Sequence, residues 1–140
     1  MVGFSASTHT ATEAASAVGC SVDEIAKTIV FQGEAGPVLV VTTGTKRIDR
    51  SSLAEATGSR LRSAGEEYIR SRLGMAPGGV TPALEVGGLV IFDLVLESFP
   101  AVWISAGSPN HVLKATAETL RRLQPGALWV PVPGLAQPAG

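Results

Sequence analysis

Two apolar runs joined by a four-residue turn constrain the fold of this chain more than any other feature. The runs occupy residues 28–32 and 37–43, and Gly33, Glu34, Ala35 and Gly36 separate them. Both runs are rich in β-branched residues, which favour strands, and a short connection containing glycine favours a hairpin. The second run lacks the alternation of apolar and polar residues, which is typical of a strand covered on both faces. The sequence therefore predicts a buried hairpin at the centre of a sheet.

Helical and strand patterns alternate along the rest of the chain, which predicts an α+β domain with a mixed, mainly antiparallel sheet. Capping boxes, in which a hydroxyl and a carboxylate satisfy a first helical turn, are expected at residues 10–13, 21–24 and 63–66. Asp49 is expected to cap a helix that Gly58 ends. The predicted helices cover residues 11–18, 21–26, 50–57, 64–73 and 115–123, and the further predicted strands cover residues 89–95, 101–105 and 127–132.

Composition limits the class of protein. The 140 residues are 45% hydrophobic and 16% charged, which predicts one globular domain over residues 1–140. A net charge of -1 excludes a broad cationic nucleic-acid surface but leaves room for local contacts to RNA. No apolar run is long enough to cross a membrane, and no signal peptide is recognised. Cys20 is the only cysteine, so no intrachain disulfide is possible and a cytoplasmic location is expected. His9 and His111 lie far apart, with no Cys or carboxylate at metal-ligand spacing, so no metal is expected, and no cofactor is expected either.

Lys27 directly precedes the first predicted strand. One interpretation is a solvated cation at the end of a short helix, where positive charge is favoured. The other is an ammonium group that points into a cleft beside the sheet. There it would bind a carbonyl oxygen or a phosphate, or stabilise a developing oxyanion.

Two further segments are candidate parts of a site. Residues 74–82 contain three glycines and two prolines, so they form either a rigid turn or a loop whose Gly78 and Gly79 N–H groups meet a ligand. Ser105 and Gly107 begin a polar turn that reaches His111, which is either a surface residue or a base. No Ser-His-Asp arrangement or carboxylate pair is evident. An enzyme of this sequence would therefore work by positioning and electrostatics.

In this order, these segments resemble the YbaK/prolyl-tRNA synthetase-associated editing domain family. The similar stretches are TATEAASAVGC and DEIAKTIVF, then RLGMAPGGVTP, and finally VIFD and WISAGSPNHVL. They extend over residues 10–132, nearly the whole chain. The resemblance implies a barrel-like, YbaK-like sheet flanked by short helices. It also implies hydrolysis of mischarged aminoacyl-tRNA carrying a small amino acid such as alanine or cysteine, with tRNA-Pro as the expected tRNA.

The resemblance also implies roles for individual residues. Lys27 is expected to fix the terminal adenosine phosphate or the aminoacyl group, and Gly78 and Gly79 are expected to contact the substrate through their backbone. The nucleophile would be an ordered water or, in the cysteine-specific branch, the thiol of the substrate. The remaining expected substrate-binding residues are Thr28, Thr81, Pro82, which stiffens the loop, Ser105 and Gly107, which form the opposite wall, and His111.

Two departures from the family pattern bear on function. Only residues 1–9 precede the first predicted helix, where family members have a longer segment that helps to wall the pocket. Val112 stands where several relatives carry an acidic residue, which argues against the cysteine-specific mechanism. The alternatives are a non-catalytic module that binds aminoacyl-tRNA or a nucleotide, and an interaction domain with a purely structural loop. Prolyl-tRNA synthetase or an elongation factor is the expected presenting partner, and the oligomeric state stays open.

Overall fold

The computed structural model of the protein describes residues 2–3, 24–74, 81, 88–105 and 111–135. The helix predicted at 11–18 lies outside these residues, as do residues 21–23 of the next one. Eight strands are described: β1 Val2–Gly3, β2 Ala26–Gly33, β3 Gly36–Thr43, β4 Arg62–Ser63, β5 Leu89–Asp93, β6 Val102–Ser105, β7 His111–Ala115 and β8 Leu128–Val130. The helices are α1 Arg50–Thr57, α2 Glu66–Tyr68, which continues as a π-helix over Ile69–Leu73, a 3₁₀-helix Leu94–Ser98, and α3 Ala117–Leu123.

The strands form two sheets. The larger has the order β4-β2-β3-β5-β8, and the smaller has the order β1-β7-β6. Four strand pairs are antiparallel, while β3–β5 and β5–β8 are parallel. An isolated parallel bridge between Ile25 and Trp103 connects the start of β2 with β6. The predicted α+β fold with a mixed, mainly antiparallel sheet is therefore confirmed, although the sheet is not closed.

The predicted central hairpin is also confirmed. β2 and β3 pair along their whole length, from Ala26 opposite Thr43 to Gly33 opposite Gly36. Successive residues of β3 supply two hydrophobic cores on opposite faces of the sheet, as strand geometry requires. The larger core contains Ala26, Val30, Leu39, Val41, Val90, Phe92, Leu96, Val102, Ile104, Ala115 and Leu120. The smaller core contains Phe31, Val38, Val40, Leu53, Leu61, Ile91 and Val132.

Helix α1 shows how local signals fix an element. The Asp49 carboxylate accepts a hydrogen bond from the Ser52 N–H at 3.2 Å and one from the Ser52 hydroxyl at 2.9 Å. Gly58 ends the helix with φ of 68°, a left-handed conformation that glycine adopts at little cost. Leu53 is fully buried and anchors the helix to the smaller core. The predicted helix 50–57 is confirmed at both ends.

Other predicted boundaries are wrong where long-range pairing prevails. Ser63 does not cap a helix, because it pairs with Phe31 as part of β4, and the helix begins after Gly65 without a side-chain cap. The sequence predicted a turn that includes His111, but His111 is the first residue of β7, which pairs with β6 and β1. Ala115 therefore lies in a strand, and Thr116 caps the helix that follows by accepting from the Thr119 N–H at 3.1 Å.

Gly88 allows the parallel strands β3 and β5 to approach each other. A Cβ atom at this position would overlap the carbonyl oxygen of Pro37, a backbone atom that cannot move aside. We expect Gly88→Ala to lower the free energy of unfolding by about 1–3 kcal/mol, the usual cost of overpacking. Gly126→Ala is the matched control, since a Cβ there meets nothing within 4 Å. Urea unfolding of both variants checks this, and equal stability of the two would contradict it.

Candidate functional site

Lys27 is the second residue of β2, directly opposite Thr42 of β3. The expected position at the end of a short helix is wrong, because strand pairing already includes Ala26. By alternation Lys27 lies on the same face as Ile29 and Phe31, towards the smaller core. Its side chain is therefore held by the sheet rather than by a fraying helix end.

The charge of Lys27 is poorly compensated. The side chain is half-buried, and no carboxylate among the described residues forms an ion pair with it. Burial lowers the pKa of Lys27 below its ordinary value of 10.5, and the nearby guanidinium of Arg47 lowers it further. Desolvation and a like charge both disfavour the ammonium form. An anionic or strongly dipolar ligand beside Lys27 would stabilise its ammonium form and offset this unfavourable free energy.

Strand β6, which ends at Ser105, meets the start of β2 near Lys27. The parallel bridge between Ile25 and Trp103 is isolated, so it fixes this one contact between the two strands and no register beyond it. Ile104 is fully buried in the larger core, so Ser105 faces the other way. Ser105 pairs with Val112 of β7, so this valine lies beside the end of β6.

Thr28 lies on the opposite face of β2 from Lys27, because neighbours in a strand point to opposite sides. Its hydroxyl oxygen is buried and has no hydrogen-bond partner within the described ranges. An unsatisfied buried hydroxyl costs about 1–3 kcal/mol. Counting partners in the described part of the chain, β2 thus has a cation without an ion pair on one face and a hydroxyl without a hydrogen bond on the other.

The structure describes some of the remaining predicted site residues and not others. Thr81 is buried, with 2% of its surface exposed. His111 opens β7, where its backbone lies opposite Gly3. Gly78, Gly79, Pro82 and Gly107 lie outside the described residues. The grouping of the glycine loop with Lys27 therefore stays a prediction.

Asp93 carries a network for which the sequence predicted no role. This carboxylate is 1% exposed and accepts hydrogen bonds from the Thr42 hydroxyl and the Lys46 ammonium, both at 2.6 Å. Its other oxygen accepts from the backbone N–H groups of Val95 and Val132, both at 3.3 Å. In the sequence, the one feature that could have indicated this network is a single carboxylate at the end of an apolar strand.

This network anchors the loop that carries Arg47. Lys46 also donates to the carbonyl oxygen of Val132 at 2.9 Å, and the Leu135 N–H donates to the carbonyl oxygen of Arg47 at 2.7 Å. An antiparallel bridge between Ile48 and Gly134 lies beside these bonds. The loop after β3 is thus held against residues 132–135, with Lys46 turned to Asp93 and Arg47 left exposed near Lys27.

The described residues supply a cation and hydroxyls rather than a metal centre. Within the part of the chain that the structure describes, no group of three or more His, Cys, Asp or Glu side chains is placed to hold a metal ion. No helix in the same part is long and apolar enough to cross a membrane. The arrangement around Lys27 is suited to binding a phosphate or an ester carbonyl and to stabilising negative charge.

Comparison with known proteins adds to this geometry. The family profile described as aminoacyl-tRNA editing domain matches residues 5–123. The uncharacterized protein YwhH of Bacillus subtilis (strain 168) is 30% identical over 131 residues, which cover 92% of this chain and 83% of YwhH.

Solved structures agree with this match. A protein proposed to be a trans-editing enzyme for prolyl-tRNA synthetase superposes with a TM-score of 0.86 at 36% identity, over 96% of this chain and 85% of its own. A structure from a study of epitope grafting onto scaffold proteins superposes with a TM-score of 0.87 at 32% identity, over 96% of this chain and 86% of its own. Both similarities extend over nearly the whole chain.

Proposed function

The chain belongs to the aminoacyl-tRNA editing domain family, and from this premise we propose that it is a trans-editing deacylase. It hydrolyses the ester between a small, wrongly attached amino acid and the 3′-terminal ribose of a tRNA. Alanine or cysteine on tRNA-Pro is the proposed substrate. The solved structure of a protein proposed to be a trans-editing enzyme for prolyl-tRNA synthetase supports the choice of tRNA-Pro, while the amino acids come from the family resemblance.

The charge of Lys27, with which no carboxylate among the described residues pairs, is the observation that carries the proposal. In ester hydrolysis, water adds to the carbonyl carbon and a negative charge develops on the carbonyl oxygen. The carbon–oxygen bond to the ribose then breaks, the ribose oxygen takes a proton, and free amino acid and tRNA result. A fixed ammonium stabilises the developing charge most when it is partly desolvated. Lys27 is half-buried near the contact between β2 and β6 and has this environment.

The residues around Lys27 have assigned parts in this proposal. Lys27 binds the terminal phosphate or the aminoacyl carbonyl, while Ser105 and Gly107 form the wall opposite. Gly78 and Gly79 contact the aminoacyl group through backbone N–H groups, which are suited to carbonyl oxygens. Thr28, Thr81, Pro82 and His111 complete the proposed substrate-binding set. The nucleophile is an ordered water, and the protein acts in the cytoplasm without a cofactor.

A panel of charged tRNAs tests the function. We expect wild-type protein to release alanine, cysteine or serine from mischarged tRNA-Pro at least tenfold faster than the uncatalysed rate, and to leave prolyl-tRNA intact. The measurement is the acid-precipitable label remaining with time, and heat-denatured protein is the control. Saturable binding of a non-hydrolysable aminoacyl-adenosine without any hydrolysis would favour the non-catalytic module instead.

A further inference from the structure

Positive charge is concentrated in one part of the chain. Residues 46–72 contain seven lysines and arginines and four carboxylates, while the rest of the chain contains four basic and eight acidic residues. The net charge of the whole chain is therefore close to zero although this segment is basic. This segment includes the loop after β3, helix α1, strand β4 and helix α2.

Three arginines of this segment lie close together in the fold. The Arg50 guanidinium donates to the carbonyl oxygen of Leu61 at 2.6 Å, and Arg60 and Arg62 are the chain neighbours of Leu61. All three arginines are exposed. We call them the arginine cluster. Arg60 and Arg62 line a groove of about 470 Å³ together with Gln32, Gly33 and Glu34.

The arginine cluster keeps most of its charge uncompensated. The ion pairs among the described residues are Lys46–Asp93, Arg121–Glu97 and Arg122–Glu118, and none of them involves the cluster. Glu34 lies in the groove, where its carboxylate accepts from the backbone N–H of Arg60 at 3.4 Å. Arg60 and Arg62 thus share the groove with one carboxylate, and the planar fork of arginine is suited to binding phosphate through two bonds.

The arginine cluster and Lys27 lie towards opposite ends of β2. Arg62 pairs with Gln32 near the end of β2, on the side of β2 opposite to β3. On this side β2 pairs with β4 at Phe31 and Gln32, and Ile25, just before β2, bridges Trp103 of β6. Five residues of an antiparallel strand separate Lys27 from Gln32, a distance of about 17 Å at about 3.4 Å per residue.

We propose that Arg50, Arg60 and Arg62 bind phosphates of the tRNA acceptor arm, about 17 Å from the aminoacyl end that Lys27 holds. This inference rests on the proposed function, since it extends the same substrate along β2. It also explains how a chain of nearly neutral charge obtains affinity for tRNA. A few uncompensated arginines supply local phosphate contacts where a broad basic surface is missing.

The test compares two substrates of different length. We expect the double variant Arg60→Ala, Arg62→Ala to raise KM for full-length mischarged tRNA about tenfold, with kcat unchanged. Hydrolysis of the corresponding aminoacyl-adenosine, which lacks the acceptor arm, stays unchanged. The slope of log affinity against log salt falls by about 0.7–0.9 for each phosphate that the variant no longer neutralises. Arg121→Ala, Arg122→Ala is the matched control, because both of these arginines already pair with glutamates.

Glu34→Gln gives an independent readout that does not remove any arginine. Loss of its negative charge from the groove is expected to tighten tRNA binding. Equal loss of activity on both substrates, or unchanged tRNA affinity in the double variant and in Glu34→Gln, would overturn the proposal. Anisotropy of labelled, uncharged tRNA measures binding even where the wild type hydrolyses nothing. Failure of the proposed function and failure of this inference are therefore distinguishable.

Discussion

Asp93→Ala is expected to lower the free energy of unfolding by about 3–5 kcal/mol, because removing one partner leaves the other groups of a buried charged network without their acceptor. The carboxylate of Asp93 is 1% exposed and accepts four hydrogen bonds. Its loss leaves the Lys46 ammonium and the Thr42 hydroxyl without this acceptor. The contact between the loop after β3 and Val132 depends on the same network.

Urea unfolding followed by circular dichroism measures this loss. Glu97→Ala is the matched control, because its carboxylate forms an exposed ion pair with Arg121, and such pairs contribute about 0–1 kcal/mol. The double variant Asp93→Leu, Lys46→Met removes both charges together and is expected to be more stable than Asp93→Ala. A cost below about 1 kcal/mol for Asp93→Ala would show that the network contributes little to stability.

Lys27→Met is expected to reduce kcat/KM for the mischarged ester by about 10²–10³-fold, the usual loss when one electrostatic stabiliser is removed. Methionine fills similar space without a charge. The fold should not suffer, because burial and Arg47 already disfavour the ammonium form in the folded protein. We therefore expect unchanged or slightly higher stability together with a large loss of activity. A parallel loss of stability would instead point to a structural role for Lys27.

The lowered pKa of Lys27 sets the direction of the pH dependence. Activity that needs the ammonium form falls as pH rises through this pKa, which lies below the ordinary 10.5. In the window between the lowered pKa and 10.5 the unfolded chain binds more protons than the folded one, so stability rises with pH there. Both changes should be absent in Lys27→Met. Rates are corrected for spontaneous ester hydrolysis in the absence of protein.

Elements with local signals were predictable from the sequence. Helix α1 has its start signal in Asp49 and its stop signal in Gly58, so both ends depend on neighbouring residues only. The hairpin of β2 and β3 likewise depends on a short turn between two apolar runs. Strand β7 was not predictable in this way, because it forms by pairing with β6 and β1, and its first residues follow a segment rich in turn formers.

The candidate site was predictable only in part for the same physical reason. The resemblance to a family identified Lys27, and the structure then showed that a strand rather than a helix end holds it. The role of Asp93 could not be seen in the sequence, because its partners Lys46 and Val132 are 47 and 39 residues away. The arginine cluster could not be seen in the sequence for the same reason, since Arg50 reaches Leu61 only after the chain has folded around α1.

Single-turnover deacylation of the preferred mischarged tRNA by wild type, Lys27→Arg and Lys27→Met tests the central claim most directly. Enzyme in excess over tRNA removes product release from the measured rate. We expect fast release by wild type, partial release by Lys27→Arg, which keeps the charge, and a rate at least 10²-fold lower for Lys27→Met. Equal rates for wild type and Lys27→Met, with both proteins folded, would contradict the assignment of Lys27 to the reaction.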